Sequence, residues 1–282
     1  MIKRIFIGFI LLVFAVLFLN RCVICKMRWS DKKAQKVFKE KKVPLSLYDT
    51  IIEGHSLHYA MTGKNNLPTL VFIHGSPGSW FHYMKFLWDE DLLKKYRMIA
   101  IDRPGYGFSD FGKSMHLQDQ CRLILPLLQQ LKTSQPMYLC GHSYGGPVVA
   151  KLAADAPTLF QTVIIAAGAL DPALEKKEKW RHFMDKKPFF WFLPGAFQPS
   201  NTELLYLKED LKPLADDLYK ISTNILFVHG DKDTWVPIEN IAYGKKRMVN
   251  AASIKADTLV GADHQIPWKR KEDFKEILLK LY

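Results

Sequence analysis

Gly141-His142-Ser143-Tyr144-Gly145 sets a serine between two glycines in the pattern G-x-S-x-G. Tyr138-Leu139-Cys140 before it reads as a short buried strand. Gly146 to Ala154 after it reads as the start of a helix, with small residues where the helix must cross the strand closely. A serine on a sharp strand-to-helix turn has its hydroxyl pushed outward, with a helix N-terminus beneath it. Glycines at 141 and 145 leave room for that turn, because a side chain there would collide with neighbouring backbone. An ordinary glycine-rich turn fits the same five residues, so the chemistry depends on partners elsewhere in the chain.

A serine nucleophile needs a base, an acid to orient the base, and donors for an oxyanion. The strand-like run Asn224-Ile225-Leu226-Phe227-Val228-His229 ends in Gly230-Asp231-Lys232-Asp233-Thr234-Trp235-Val236-Pro237, and a carboxylate in that loop is well placed to accept a hydrogen bond from a histidine. Ala256 to Val260 reads as a further strand, followed by Gly261-Ala262-Asp263-His264. The order Ser143, Asp233, His264 therefore fits serine, acid, histidine.

With these pieces in place the chain resembles an α/β-hydrolase of the serine-hydrolase type. The resemblance is carried by His74-Gly75-Ser76-Pro77-Gly78-Ser79, Asp102-Arg103-Pro104-Gly105-Tyr106-Gly107-Phe108-Ser109, the turn at 141–146, the segment 230–237 and the segment 261–264, all in the family's order from about residue 45 onward. It implies an acid three residues after the glycine of G-x-x-D-x-x-V-P, which is Asp233. Asp231 is the local competitor, with bracing of its own loop as the plainer role, and Asp171 is a more distant candidate. It implies oxyanion donors on the backbone N–H groups of Ser76 and Tyr144. His74, Pro77 and Gly78 shape the first of these loops, and His74 is read chiefly as a histidine tying the loop down. An aspartate nucleophile marks the dehalogenases and epoxide hydrolases of this family, so Ser143 argues against both.

The elements needed to position these groups are legible as alternating runs. Strands are expected at 46–52, 56–61, 69–73, 97–101, 137–140, 162–167, 224–229 and 254–260, separated by amphipathic stretches. That alternation fits an α/β class, here the α/β-hydrolase fold: a mostly parallel eight-stranded sheet flanked by helices. Between the strands at 162–167 and 224–229 lies a different segment, about 171–222. It carries Trp180, Phe183, Phe189, Phe190, Trp191, Phe192, Phe197 and Tyr206, with Pro188, Pro194, Pro199 and Pro213 among them. The family inserts a small helical cap over the serine at this place. An aromatic cap would make an apolar pocket and exclude water. Trp180, Phe190 and Trp191 are the candidate pocket residues, with His74 beside them; His182 is a further candidate for substrate contact.

Residues 1–25 form a hydrophobic segment, 26–44 a basic linker, and 45–282 the catalytic domain. Ile5 to Leu19 carries no charge and, extended to Cys25, is long enough for a membrane-anchor helix. Residues 1–42 hold eleven Lys and Arg against two acids, so +9 of the formal +12 sits there. A near-neutral domain argues against nucleic-acid binding, and the basic cluster suits anionic lipid head groups. Charge bias would keep the domain in the cytoplasm, whereas the signal-like start favours export, so the side of the membrane stays open. Four cysteines, Cys22, Cys25, Cys121 and Cys140, make no disulfide framework. No metal-ligand spacing and no nucleotide-binding loop is present, so no metal and no cofactor is expected.

The expected partner is a small-molecule acyl substrate, with membrane lipid contacted through the N-terminal segment. The expected reaction is transfer of an acyl group to water through Ser143, His264 and Asp233, esterase-like first, with C–C bond hydrolysis, lactonase or amidase chemistry as alternatives. A membrane-tethered binding module without catalysis is the alternative of another class. Oligomeric state and substrate identity are not encoded in any of these patterns.

Overall fold

The computed structural model describes residues 2–21, 27–176 and 178–281, with the side chains of 2–3 and 16–21 left out. Eight strands form one sheet: β1 (Ser46–Ile52), β2 (His55–Thr62), β3 (Thr69–Ile73), β4 (Arg97–Ile101), β5 (Met137–His142), β6 (Thr162–Ala166), β7 (Asn224–Gly230) and β8 (Ser253–Leu259). Their spatial order is β1-β2-β4-β3-β5-β6-β7-β8. β2 is antiparallel to β1 and to β4, and all later pairs are parallel. Each expected strand is present, with ends shifted by a residue or two, as is usual at element boundaries.

β3 and β5 form the centre of the sheet, and every residue of both is buried. Alternation divides their side chains between two cores. Val71, Ile73 and Leu139 pack on one face, against the Leu117–Leu131 and Gly145–Asp155 helices. Leu70, Phe72, Tyr138 and Cys140 pack on the other face with Phe86 and with Phe274 of the Lys271–Leu279 helix. A strand covered on both faces reads as a continuous apolar run, and Thr69-Leu70-Val71-Phe72-Ile73 is one. Register pairs Ile73 with Gly141, and His142 with Ala166, so the parallel strands end along one edge, and their C-terminal loops gather there.

Between β6 and β7 the chain forms the Lys179–Met184 helix, a short turn of 3-10 helix at Phe189–Phe192, and the long Phe197–Asp217 helix. The basic stretch after residue 26 does more than link. Its Asp31–Glu40 helix, capped by the Ser30 side chain accepting from the Lys33 N–H, buries Ala34 and Phe38 completely, with Phe38 meeting the rings of Trp80 and Trp88.

The N-terminal segment forms a helix over Ile2–Arg21, with the apolar side chains from Ile5 to Phe14 turned outward. Residues 22–25, with Cys22 and Cys25, lie outside the described residues. Among the described residues no helix is long and apolar enough to cross a membrane.

Candidate active site

Ser143 stands where β5 turns into the Gly145–Asp155 helix, and its φ of 55° is in the left-handed region. A residue with a side chain holds that conformation at a cost of about 1–3 kcal/mol, so the surroundings must enforce it. Two hydrogen bonds do so: the Ser143 N–H donates to Ala166 O at 2.9 Å and the Gly146 N–H donates to Ser143 O at 2.8 Å. The turn is also too tight for side chains on its flanks. A Cβ on Gly141 would lie 2.1 Å from the carbonyl oxygen of Gly145.

The loop after β7 brings Asp233 to the loop after β8. His264 Nδ1 and Asp233 Oδ2 are 2.8 Å apart, and both side chains are buried. Asp233 Oδ1 accepts the N–H groups of Trp235 and Val236, each at 2.9 Å, and Oδ2 also lies 3.3 Å from His229 Nε2. Burial alone would raise this carboxyl. The hydrogen bonds from His229 and His264, the charge on His264 and the Val236 N–H together outweigh it and hold the group well below the usual carboxylate range. Asp231 instead accepts the Gly261 N–H at 2.6 Å and braces the loop, while Asp171 accepts the Ala173 N–H at 2.8 Å. Neither meets His264.

His264 and Ser143 line one cavity of about 410 Å³ together with Ser76, His142, Trp268 and Phe197. Among the described residues no hydrogen bond joins the Ser143 hydroxyl to the His264 ring. A contact of this kind often tightens only when substrate is present. Among the described residues, too, the backbone N–H groups of Ser76 and Tyr144 have no hydrogen-bond partner, so both are available to an incoming oxygen.

The loop holding Ser76 is fixed by residues the sequence motifs did not single out for this task. Arg103, fully buried, donates to the carbonyl oxygens of His74 and Gly75 at 2.9 and 3.0 Å. The same guanidinium pairs with Glu203, also buried, and lies 4.4 Å over the Tyr144 ring. Glu203 accepts further from Gln120 at 3.1 Å and from the Tyr106 hydroxyl. The Ser76 hydroxyl donates to Ser200 at 2.8 Å. Arg103 belongs to a recognised motif, but nothing local in the sequence marks Glu203 as buried; only the fold, which lays the Phe197–Asp217 helix over this loop, identifies it.

His74 has its two ring nitrogens occupied: Nε2 accepts the Arg103 N–H at 3.0 Å, which leaves Nδ1 to donate to Gly75 O at 2.8 Å. Burial, with the Arg103 charge, pushes its pKa well down. It ties its loop and does not line the cavity. His142 reaches the backbone oxygen of His264 through Nε2 at 2.8 Å, and burial pushes its pKa down to about 3. Of the expected pocket rings, Trp180, Phe190 and Trp191 are not among those lining the Ser143 cavity; Phe197, Trp235 and Trp268 are. His182 faces a separate cavity of about 250 Å³ with Glu175, Arg181 and Lys208. Among the described residues no three His, Cys, Asp or Glu side chains group as a metal site.

Comparison with known proteins bears on the fold that carries this arrangement. A family profile for the alpha/beta hydrolase fold matches residues 68–198. An uncharacterised hydrolase of Bacillus subtilis is 24% identical over 80% of this chain and 93% of its own length. Epoxide hydrolase 1 of Caenorhabditis elegans is 26% identical over 64% of this chain, a match that spans 45% of that longer protein. Among solved structures, a bacterial membrane phospholipase A superposes with a TM-score of 0.67 at 18% identity, covering 99% of this chain and 97% of its own. Sheet order, the strand-to-helix turn at Ser143 and these likenesses together show that the chain has the α/β-hydrolase fold.

Proposed function

We propose that this protein is a membrane-anchored serine hydrolase that cleaves an ester or related acyl bond of a moderately apolar small molecule. The observation that carries the reading is the Asp233–His264 contact at 2.8 Å on a cavity wall shared with Ser143. In the proposed reaction His264 takes the proton of Ser143 as the hydroxyl attacks a carbonyl carbon. Asp233 fixes the ring through Nδ1 and stabilises its charged form. The N–H groups of Ser76 and Tyr144 donate hydrogen bonds to the developing oxyanion, each contributing on the order of 3 kcal/mol to the transition state. His264 then returns the proton to the leaving group, and water cleaves the acyl-enzyme with His264 again as base.

A serine at position 143 argues against epoxide opening of the kind named for some relatives, because that chemistry in this family uses an aspartate nucleophile. C–C bond hydrolysis, lactonase and amidase reactions share the same triad. A non-catalytic binding module would have no need of a depressed Asp233 carboxyl held on a buried histidine. The segment at about 171–222 is proposed as the cap, supported by its place between β6 and β7 and by Phe197 on the cavity wall. The anchor is proposed for residues 5–25, supported by the outward-facing apolar side chains of the N-terminal helix.

A panel of p-nitrophenyl esters of rising acyl length tests the reading. The wild-type protein is expected to release nitrophenol with a preference for medium or long chains, and Ser143→Ala to release none above background. Equal turnover by both proteins would refute it.

A further inference from the structure

The rings of the segment between β6 and β7 do not close inward. Trp180, Phe183 and Trp191 are each about half exposed, at 50%, 52% and 56%. The Phe183 and Phe189 rings meet at a tilt with centroids 4.0 Å apart, and the Arg181 guanidinium covers the Trp180 ring at 4.4 Å. Lys179, Lys186 and Lys187 are exposed among them, and from 179 to 192 four Lys and Arg stand against one acid, Asp185. Large exposed rings on soluble proteins are usually scattered singly. Aromatic side chains interleaved with Lys and Arg suit the boundary between lipid head groups and acyl chains, where a ring can sit with its apolar body in and its polar neighbours out.

Five residues beyond the patch, the chain reaches the Ser143 cavity at Phe197. Phe197 and Trp235 line that cavity and are also exposed to solvent. The cavity has a third wall from an unexpected source. Met27 lines it, and the adjoining Arg28 is seated on the domain by Phe108, Phe111 and the Gly107 carbonyl. Residue 27 leads back to the apolar helix Ile2–Arg21. Met27 and Phe197 thus bring two separate stretches of chain, one following the apolar N-terminal segment and one following the aromatic–basic patch, to the wall of the same cavity.

We propose that the aromatic–basic face around Trp180, Phe183, Phe189, Lys186 and Lys187 docks on an anionic phospholipid surface, and that the Ser143 cavity draws its acyl substrate, a lipid ester, from that surface. The docking stands on the patch itself; the lipid substrate rests on the serine-hydrolase reading.

The tryptophans make docking measurable. Residues 1–25 contain no Trp, so quenching by lipid brominated in its acyl chains reports on the domain alone. Full-length protein is reconstituted in vesicles of phosphatidylcholine, with and without phosphatidylglycerol. Wild-type emission is expected to be quenched more strongly when phosphatidylglycerol is present, and Lys186→Glu/Lys187→Glu to lose that increment. The same variant is expected to hydrolyse a long-chain phospholipid in anionic vesicles about tenfold more slowly while its rate on a dissolved butyrate ester is unchanged. Absence of quenching in both vesicle types overturns the proposal and leaves the patch to a protein partner. Equal loss on vesicle and dissolved substrates also overturns it. Quenching without hydrolysis of either substrate by the wild type would leave docking standing and sink the serine-hydrolase reading instead.

Discussion

Arg103 and Glu203 meet as a two-pronged pair, Nη1 to Oε2 and Nη2 to Oε1, both at 2.9 Å and both out of reach of solvent. The pair joins the loop that presents Ser76 to the long helix between β6 and β7. Burial would depress the Arg103 guanidinium, but Glu203 outweighs it and keeps the charge in place. Removing one partner leaves the other buried and uncompensated. Glu203→Gln is therefore expected to lose about 3–5 kcal/mol of stability. Replacing both partners, Arg103→Met with Glu203→Leu, is expected to recover a large part of that loss. Urea unfolding of the three proteins checks this; a single variant as stable as wild type would contradict it.

Acid should weaken the fold before it titrates the Asp233 carboxylate. His74 and His142 are held neutral, with pKa values depressed by burial, the latter to about 3. In the unfolded chain both take up protons near pH 6.5. Stability contributed by keeping them neutral is complete above about pH 7 and declines as pH falls below 6.5, by about 1.4 kcal/mol per pH unit for each ring. The depressed Asp233 carboxyl adds a loss of the same sign only below about pH 4. Denaturant midpoints measured from pH 7.5 to 5 are expected to fall, and His142→Gln to reduce the slope by about one proton's worth. A flat profile would contradict the assignment.

Gly141 is expected to tolerate no side chain. A Cβ there meets backbone, Gly145 O at 2.1 Å, and backbone at the start of a buried helix has nowhere to move. Gly141→Ala should lose esterase activity by at least about a hundredfold, since a misplacement of even 1 Å at the reacting group is costly. The control is Gly112→Ala. Gly112 has a positive φ, 87°, which strains an alanine, but a Cβ there meets nothing within 4 Å, so this variant should keep its activity. Comparable activity in both variants would show that the turn is not as rigid as its packing indicates.

How much of this was legible beforehand divides along a physical line. Strands β3 and β5 are buried on both faces, so their apolar runs announce them. Ser143, Asp233 and His264 sit in loops whose glycines and short motifs leave a local imprint. Glu203 leaves none, because an acid amid a polar helical stretch looks solvated until another element covers it. The rings at 180–192 misled for the converse reason: aromatic content predicts burial, and only the fold reveals that Trp180 and Trp191 face outward while Phe197, Trp235 and Trp268 line the cavity. The basic stretch after residue 26 was legible as charge but not as packing, since the burial of Phe38 needs Trp80 and Trp88 to meet it.

In the proposed reaction the Ser143 hydroxyl is a nucleophile activated by His264. Fluorophosphonate labelling followed by peptide mass analysis tests it most directly. Expected are one adduct per chain on the peptide containing Ser143, none in Ser143→Ala, and labelling slowed by orders of magnitude in His264→Ala and Asp233→Asn. An unlabelled wild-type protein that is folded, or an adduct on any other residue, would contradict it.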